Sequence, residues 1–108
     1  MRGMLAGLLV SIASVCLAVD VGILDDTRLW GTGYNVSTGD RMTTMKADWE
    51  VRGAVWHPTG AITPEFLATV TVFYTSQVGM PELSEAEQAA LLAWVKSGNT
   101  LIVTGDCG

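Results

Sequence analysis

The amino-acid sequence predicts an incomplete three-layer α/β domain, in which a parallel sheet with strand order 2-1-3-4 carries helices on both faces. Short runs rich in β-branched residues alternate with segments of helical periodicity, the order typical of βαβ units. The first and fourth runs are apolar on both faces, as in covered strands. Polar residues follow three of the four runs, where each strand would end. This combination is typical of Rossmann or flavodoxin-like sheets.

Residues 1–18 have the pattern of a secretory signal peptide. Arg2 precedes an uncharged run over 4–19, which is shorter than the roughly 20 apolar residues that a membrane span needs. Cys16 and Ala18 are small residues that suit a cleavage site after Ala18. The sequence therefore predicts export to the periplasm or the extracellular space. The alternative is a membrane anchor formed by an uncleaved N-terminal segment, because residues 19–24 extend the apolar run.

Cleavage after Ala18 leaves one domain over residues 19–108, with 5 basic and 11 acidic residues. This acidic balance provides no basic surface for nucleic acid, so we expect no nucleic-acid partner. The sequence also predicts no membrane span after cleavage and no cofactor, since the Gly-Thr-Gly at 31–33 does not directly follow a strand. Cys107 becomes the only cysteine, which excludes an internal disulfide.

The first half of the domain is expected to form a strand, a loop, a helix and a second strand. Residues 19–24 give the first strand, and the glycine-rich segment 27–40 has the composition of a loop. Met42, Met45 and Trp49 form a helical stripe over 40–49, in which methionine fills the core rather than binding a metal. Alternation over 50–56 predicts the second strand, at a sheet edge.

A turn over 57–60 and a single helical turn over 64–68 are predicted next. His57 is the only histidine of the chain and is expected to be a solvated turn residue rather than a ligand or base. Thr63 has the position of an N-cap and Pro64 that of the first helical residue. The β-branched and aromatic run 70–74 predicts the third strand.

The strongest local prediction is a helix followed by a buried strand. Ser84 and Glu87 have the spacing of a capping box, and Gly98 has the position of a helix stop. The residues expected to form the buried stripe of this helix are Leu91, Leu92 and Val95. Residues 100–104 then predict the fourth strand.

The predicted strand order brings three polar clusters to one crevice. In such sheets, ligands bind at the carboxyl ends of the strands, where the strand order reverses. The sequence therefore predicts a ligand site formed by Asp25, Asp26, Ser76 and Asp106. The alternative for the first two is a solvated loop or a helix cap. Two aspartates alone do not make a metal site, because a bound cation needs at least a third oxygen ligand. Only Asp106 would supply that ligand, and only in this strand order, so no metal is assigned to the site.

The segments VTVFYTS, AWVKSGN and LIVTGDCG together resemble the class I glutamine amidotransferase-like superfamily. The resemblance covers most of residues 19–108 and is carried by the order of elements and a few glycines. It extends to non-catalytic members, such as the trimerisation domains of β-galactosidases and the trehalose-utilisation-type domains. It therefore implies an exported, non-catalytic domain for ligand binding or assembly.

A catalytic alternative depends on Cys107. Catalytic members of that superfamily carry a nucleophilic cysteine in a G-x-C-x-G turn, and Gly105 and Cys107 match its first glycine and its cysteine. Gly108 stands at the variable position, and the family's histidine and carboxylate lie downstream. This alternative makes the chain the N-terminal part of a cysteine-dependent hydrolase or amidotransferase.

The fourth strand would form an apolar sheet edge without cover. We therefore expect either that the rest of a longer protein follows Gly108 or that the chain completes itself as a homo-oligomer.

Overall fold

The computed structural model describes residues 17–76, 78–79 and 82–104. Its strands are β1 (Val19–Leu24), β2 (Ala54–Thr59), β3 (Val72–Thr75) and β4 (Thr100–Val103). Its helices are α1 (Thr43–Val51), α2 (Pro64–Leu67) and α3 (Glu85–Lys96), with a 3-10 helix at Thr32–Tyr34. Most of the predicted signal peptide, Asp106 and Cys107 lie outside the described residues.

The four strands form one parallel sheet in the order β2-β1-β3-β4, which confirms the predicted topology. The chain leaves β1 in one direction to form β2 and returns past β1 to form β3. The strand order therefore reverses between β1 and β3. The sheet is small, as the prediction of an incomplete domain requires.

Helices cover both faces of the sheet. Alternate strand residues point to opposite sides, so each face has its own buried cluster. Met42, Met45 and Trp49 of the α1 region pack on one face, as the helical stripe predicted. The buried residues of that face are Val21, Ile23, Val36 and Tyr74. On the other face, side chains of α2 and α3 pack with residues of the strands and loops into a second buried cluster, which consists of Leu24, Ile62, Leu67, Val70, Phe73, Leu91 and Trp94.

The ends of α3 are those that the sequence predicts. The Ser84 hydroxyl accepts a hydrogen bond from the backbone N–H of Glu87, whose carboxylate accepts from the Ser84 N–H in return. Gly98 has φ +108°, a conformation that side chains with a Cβ rarely adopt, so the helix stops there. This local chemistry defines both ends of α3 without help from the core.

The predicted buried stripe of α3 is wrong in two of its three positions. Leu91 is buried, whereas Leu92 is 56% exposed and Val95 is 37% exposed. The buried side chains are Glu87, Leu91 and Trp94, which repeat at four and three residues. Because α2 packs against α3, the inward face is turned toward α2 by about one residue position.

The second strand begins and ends later than predicted. Glu50 and Val51 belong to α1, and β2 runs to Thr59 through the predicted turn. His57 is therefore a half-buried strand residue, not a solvated turn residue, and its Nε2 lies 2.9 Å from Asp20 Oδ1 on β1. The residues around Pro58 favour a turn, but pairing with β1 extends the strand through them. A strand at the edge of a sheet tolerates proline.

Candidate functional site

The crevice at the strand-order reversal is filled by the chain itself. The segment after β1 crosses over the segment after β3, where Leu29 and Val78 form an antiparallel bridge. The Gly79 N–H donates to the Arg28 carbonyl at 2.7 Å, which ties the two segments together. The space that remains above the ends of β1 and β3 measures about 10 Å³. That is about one water-sized probe volume, so this cavity holds no more than a single water.

A buried ion pair, Arg28 with Glu87, holds this closure in place. Arg28 Nη1 and Nη2 donate to the two carboxylate oxygens of Glu87 at 2.7 and 2.9 Å. The same guanidinium donates to the carbonyls of Gly60 and Glu82, and the Ile62 N–H donates to Glu87. One ion pair therefore joins α3 to the segments that follow β1 and β2.

The surroundings of the pair favour both charged forms. The hydrogen bond from Arg28 is the main reason that the pKa of Glu87 falls from 4.5 to about 2, while burial opposes the shift. The pKa of Arg28 is raised, chiefly by the same hydrogen bond. Sequence reasoning identified Glu87 as a helix cap and missed Arg28. No local signal links Arg28 to a partner 59 positions away.

Asp25 is engaged in its own loop. Its Oδ1 accepts from the Thr27 N–H at 3.0 Å and also from the Thr27 hydroxyl. This is an Asx-turn geometry, in which a side chain satisfies the backbone where the strand ends. Its charge also contributes to the raised pKa of Arg28.

Asp26 and Ser76 contact the neighbouring loop segment rather than Asp25. Asp26 Oδ1 accepts from Asn35 Nδ2 at 2.9 Å, and Asn35 Oδ1 accepts from the Ser37 N–H and hydroxyl. Ser76 is buried, and its hydroxyl approaches the Tyr34 carbonyl at 3.4 Å. The structure thus places these predicted residues at the carboxyl ends of β1 and β3 but in separate hydrogen-bond groups.

Asn35 organises the segment that carries these contacts. It is 4% exposed, and its carbonyl accepts from the N–H groups of Thr38 and Gly39. A Cβ on Gly39 would overlap the Gly33 carbonyl, so the backbone at Gly39 lies in direct contact with the backbone at Gly33. Sequence reasoning treated this segment as a loop and missed the role of Asn35, because the composition of a glycine-rich loop does not reveal which of its polar side chains is buried.

The same segment presents an open polar recess and aromatic side chains to solvent. The recess measures about 400 Å³ and is lined by Asp26, Thr32, Gly33, Thr38, Gly39 and Asp40. Trp30 is 73% exposed beside Tyr34, with ring centroids 6.2 Å apart. Arg41 lies over the Tyr34 ring, with 5.4 Å between its guanidinium carbon and the ring centroid.

Two features of the described residues concern metal binding and membrane insertion. In the part of the chain that the structure describes, no group of three or more histidine, cysteine, aspartate or glutamate residues is arranged to hold a metal ion. Nor does any helix within those residues have the length and apolar character to cross a bilayer. The predicted ligand role of Asp25, Asp26 and Ser76 stays a prediction, and its fourth member, Asp106, lies outside the described residues.

No family model, curated protein or solved structure matches this chain. The resemblance to the class I glutamine amidotransferase-like superfamily therefore stays a prediction.

Proposed function

We propose that the chain is an exported, amidotransferase-like α/β domain that works by assembly and catalyses no reaction of its own. The observation that carries this proposal is the difference between the two edges of the sheet. An uncovered edge strand offers unpaired N–H and C=O groups to another chain, and proteins normally protect such an edge.

The β2 edge carries two protective features. Pro58 lacks an N–H and so interrupts any ladder that a further strand would form. His57 adds a polar side chain, which Asp20 holds in place across the strands. A second chain therefore gains little by pairing with β2.

The β4 edge has neither feature. Its strand reads Thr-Leu-Ile-Val, without proline or charge, and within the described residues it pairs with β3 alone. Val103 is 64% exposed at this edge, and Leu92 and Val95 on α3 are also exposed. This apolar edge is the surface that an assembly partner would cover.

A second copy of the chain fits this edge by symmetry. Two identical edge strands pair antiparallel about a two-fold axis, which keeps each face of the sheet on its own side. Opposite residues must then share a face, so Ile102 pairs with Ile102 of the other copy and Leu101 pairs with Val103. The result is a continuous sheet through both copies, with apolar pairs on both faces.

Electrostatics also favours this edge as the contact between copies. The chain carries a formal net charge of −5, so two copies repel each other over most approaches. The β4 strand is uncharged, and the nearest α3 end carries Lys96. An acidic protein therefore meets its own copy with least repulsion along this strip.

The position of His57 supports a role without catalysis. His57 lies on β2, and β4 forms the opposite edge of the sheet, three strand spacings or about 14 Å away. A cysteine nucleophile needs a base within hydrogen-bond reach, and the contact with Asp20 on β1 holds the His57 side chain at the β2 side of the sheet. We therefore expect Cys107 to react with iodoacetamide no faster than an ordinary free thiol.

Analytical ultracentrifugation of the chain, produced through an export pathway and purified, tests the assembly. Mass spectrometry of the same sample checks for an N-terminus at Val19. We expect a dimer that Val103→Lys converts to monomer, because a charge at the edge opposes strand pairing. Val55→Lys places the same change on β2, where Val55 is 43% exposed, and should leave the dimer intact.

Three outcomes would contradict the proposal. A wild-type chain that is monomeric at every concentration tested removes the assembly role. Dissociation by Val55→Lys rather than Val103→Lys would assign the contact to the other edge. Rapid alkylation of Cys107 would favour the cysteine-dependent hydrolase or amidotransferase instead.

A further inference from the structure

The segment between β1 and α1 displays Trp30, Tyr34 and Arg41, which we call the loop platform. Trp30 is 73% exposed and is the only aromatic residue among the exposed large hydrophobic side chains of the described residues. Its indole N–H makes no hydrogen bond within the described part of the chain. An exposed aromatic surface rimmed by polar groups is typical of a binding site, because the chain gains nothing by leaving a large indole in water.

The loop platform is held rigid before any ligand binds. The N–H groups of Tyr34 and Asn35 donate to the carbonyls of Gly31 and Thr32, and the Arg41 N–H donates to the Gly33 carbonyl. Asn35 adds side-chain hydrogen bonds to Asp26 and Ser37. A surface that is already ordered loses little conformational entropy on binding.

A recess with polar side chains borders the loop platform. Gly33 joins the two, since a Cβ built on it would lie 2.9 Å from Asp40 Oδ1 and 3.1 Å from Arg41 Cγ. The recess of about 400 Å³ presents the carboxylates of Asp26 and Asp40 with the hydroxyls of Thr32 and Thr38. Its lining therefore combines strong acceptors with groups that both donate and accept.

Charge and spacing exclude two other ligand classes. Two carboxylates against one guanidinium disfavour an anionic ligand such as a phosphate or a nucleic acid. A quaternary ammonium is best bound in a cage of aromatic rings that surround it. The centroids of Trp30 and Tyr34 are only 6.2 Å apart, so these rings contact each other and leave no space for a cation between them.

We propose that the loop platform and its recess bind a neutral saccharide. The apolar C–H face of a sugar ring stacks on Trp30, and the sugar hydroxyls exchange hydrogen bonds with Asp40, Thr32 and Thr38. Arg41 donates at the rim while its guanidinium stays stacked on Tyr34. This site goes beyond assembly through β4 and does not depend on it.

Tryptophan fluorescence provides a direct test, because Trp30 is far more exposed than the buried Trp94. The purified chain is titrated with α-1,4- and β-1,4-linked glucose hexamers and with an N-acetylglucosamine hexamer. We expect a saturable blue shift and reduced quenching by acrylamide with at least one of these saccharides. Isothermal titration calorimetry measures the Trp30 variants, because they lack the fluorescent reporter. Trp30→Ala should weaken that binding about thirtyfold, as the loss of an aromatic anchor does, and Trp30→Phe should restore part of it.

Matched variants separate this site from folding and from assembly. Asp40→Asn should weaken binding without changing the circular dichroism spectrum, and Leu92→Ala removes an exposed apolar side chain from α3 and should have no effect. Val103→Lys should bind the saccharide as the wild type does, even where assembly is lost. Unchanged affinity in Trp30→Ala, no saturable response to any of the hexamers, or saturable binding of tetramethylammonium in their place would overturn the proposal.

Discussion

The two faces of the sheet differ in how completely they are covered. On the face of α2 and α3, seven side chains are buried in one cluster and the Arg28–Glu87 pair closes its upper end. On the face of α1, four side chains are buried, and α1 itself contributes none of them. Within the described residues the face of α2 and α3 therefore holds the larger buried cluster, although a recess of about 450 Å³ beside Leu67, Val70 and Trp94 remains open between the two helices.

The difference arises from what each helix can reach. On the α1 face, Trp49 stacks on Trp56 and meets Tyr74 edge to face, with centroids 5.7 and 5.6 Å apart. Beyond these rings, Val72 and Ile102 line an open apolar groove of about 190 Å³. The α1 face therefore has an apolar groove that reaches Ile102 on β4, the strand through which we propose assembly.

The largest expected effect on the free energy of unfolding comes from truncating one large side chain on each face of the sheet to alanine. Phe73→Ala removes a side chain that is 0% exposed and should lower the free energy of unfolding by about 3–5 kcal/mol. Trp49→Ala removes a larger side chain that is only half-buried, so it should cost less than Phe73→Ala. Urea unfolding followed by circular dichroism measures both. An equal or greater loss for Trp49→Ala would show that the α1 face is the more stable one.

A smaller effect follows from the acid titration of Glu87. Its pKa is about 2 in the folded chain and 4.5 ordinarily, so its contribution is complete above about pH 5 and is lost as the pH falls toward 2. The loss should appear as a fall in the free energy of unfolding over this pH range, because protonation of Glu87 removes its charge from the ion pair with Arg28. Urea unfolding at a series of pH values should show this loss in the wild type.

Glu87→Gln should remove most of that pH dependence, because the variant has no carboxylate to protonate. The variant should also be less stable at neutral pH, since Arg28 then remains buried without a counter-charge. Glu85→Gln removes the same charge from the exposed first turn of α3 and controls for net charge. A Glu87→Gln variant with the wild-type acid profile would assign the acid sensitivity to other groups.

Local chemistry explains which parts of this fold were predictable from sequence. The Ser84 capping box and the Thr63 cap follow from patterns within a few residues. The strand order follows from the alternation of strands and helices along the chain. The side of α3 that is buried depends on where α2 lies, so Leu92 and Val95 were assigned to the core in error. Arg28 and Asn35 depend on partners and backbone turns that only the folded chain brings together, and so the closure of the crevice could not be predicted.

The smallest expected effect concerns Thr75, which with Arg28 is one of two residues of the described chain that bury a side-chain polar atom without a hydrogen-bond partner. Thr75 is 4% exposed, and its hydroxyl oxygen has no hydrogen-bond partner within the described residues. Thr75→Val keeps the shape and removes the buried hydroxyl, so it should raise the free energy of unfolding by about 1 kcal/mol. Thr59→Val is the matched control, because the Thr59 hydroxyl donates to the Ala61 carbonyl and its loss should destabilise. Destabilisation of both variants would contradict this prediction and would mean that a bound water satisfies the Thr75 hydroxyl in the small cavity beside it.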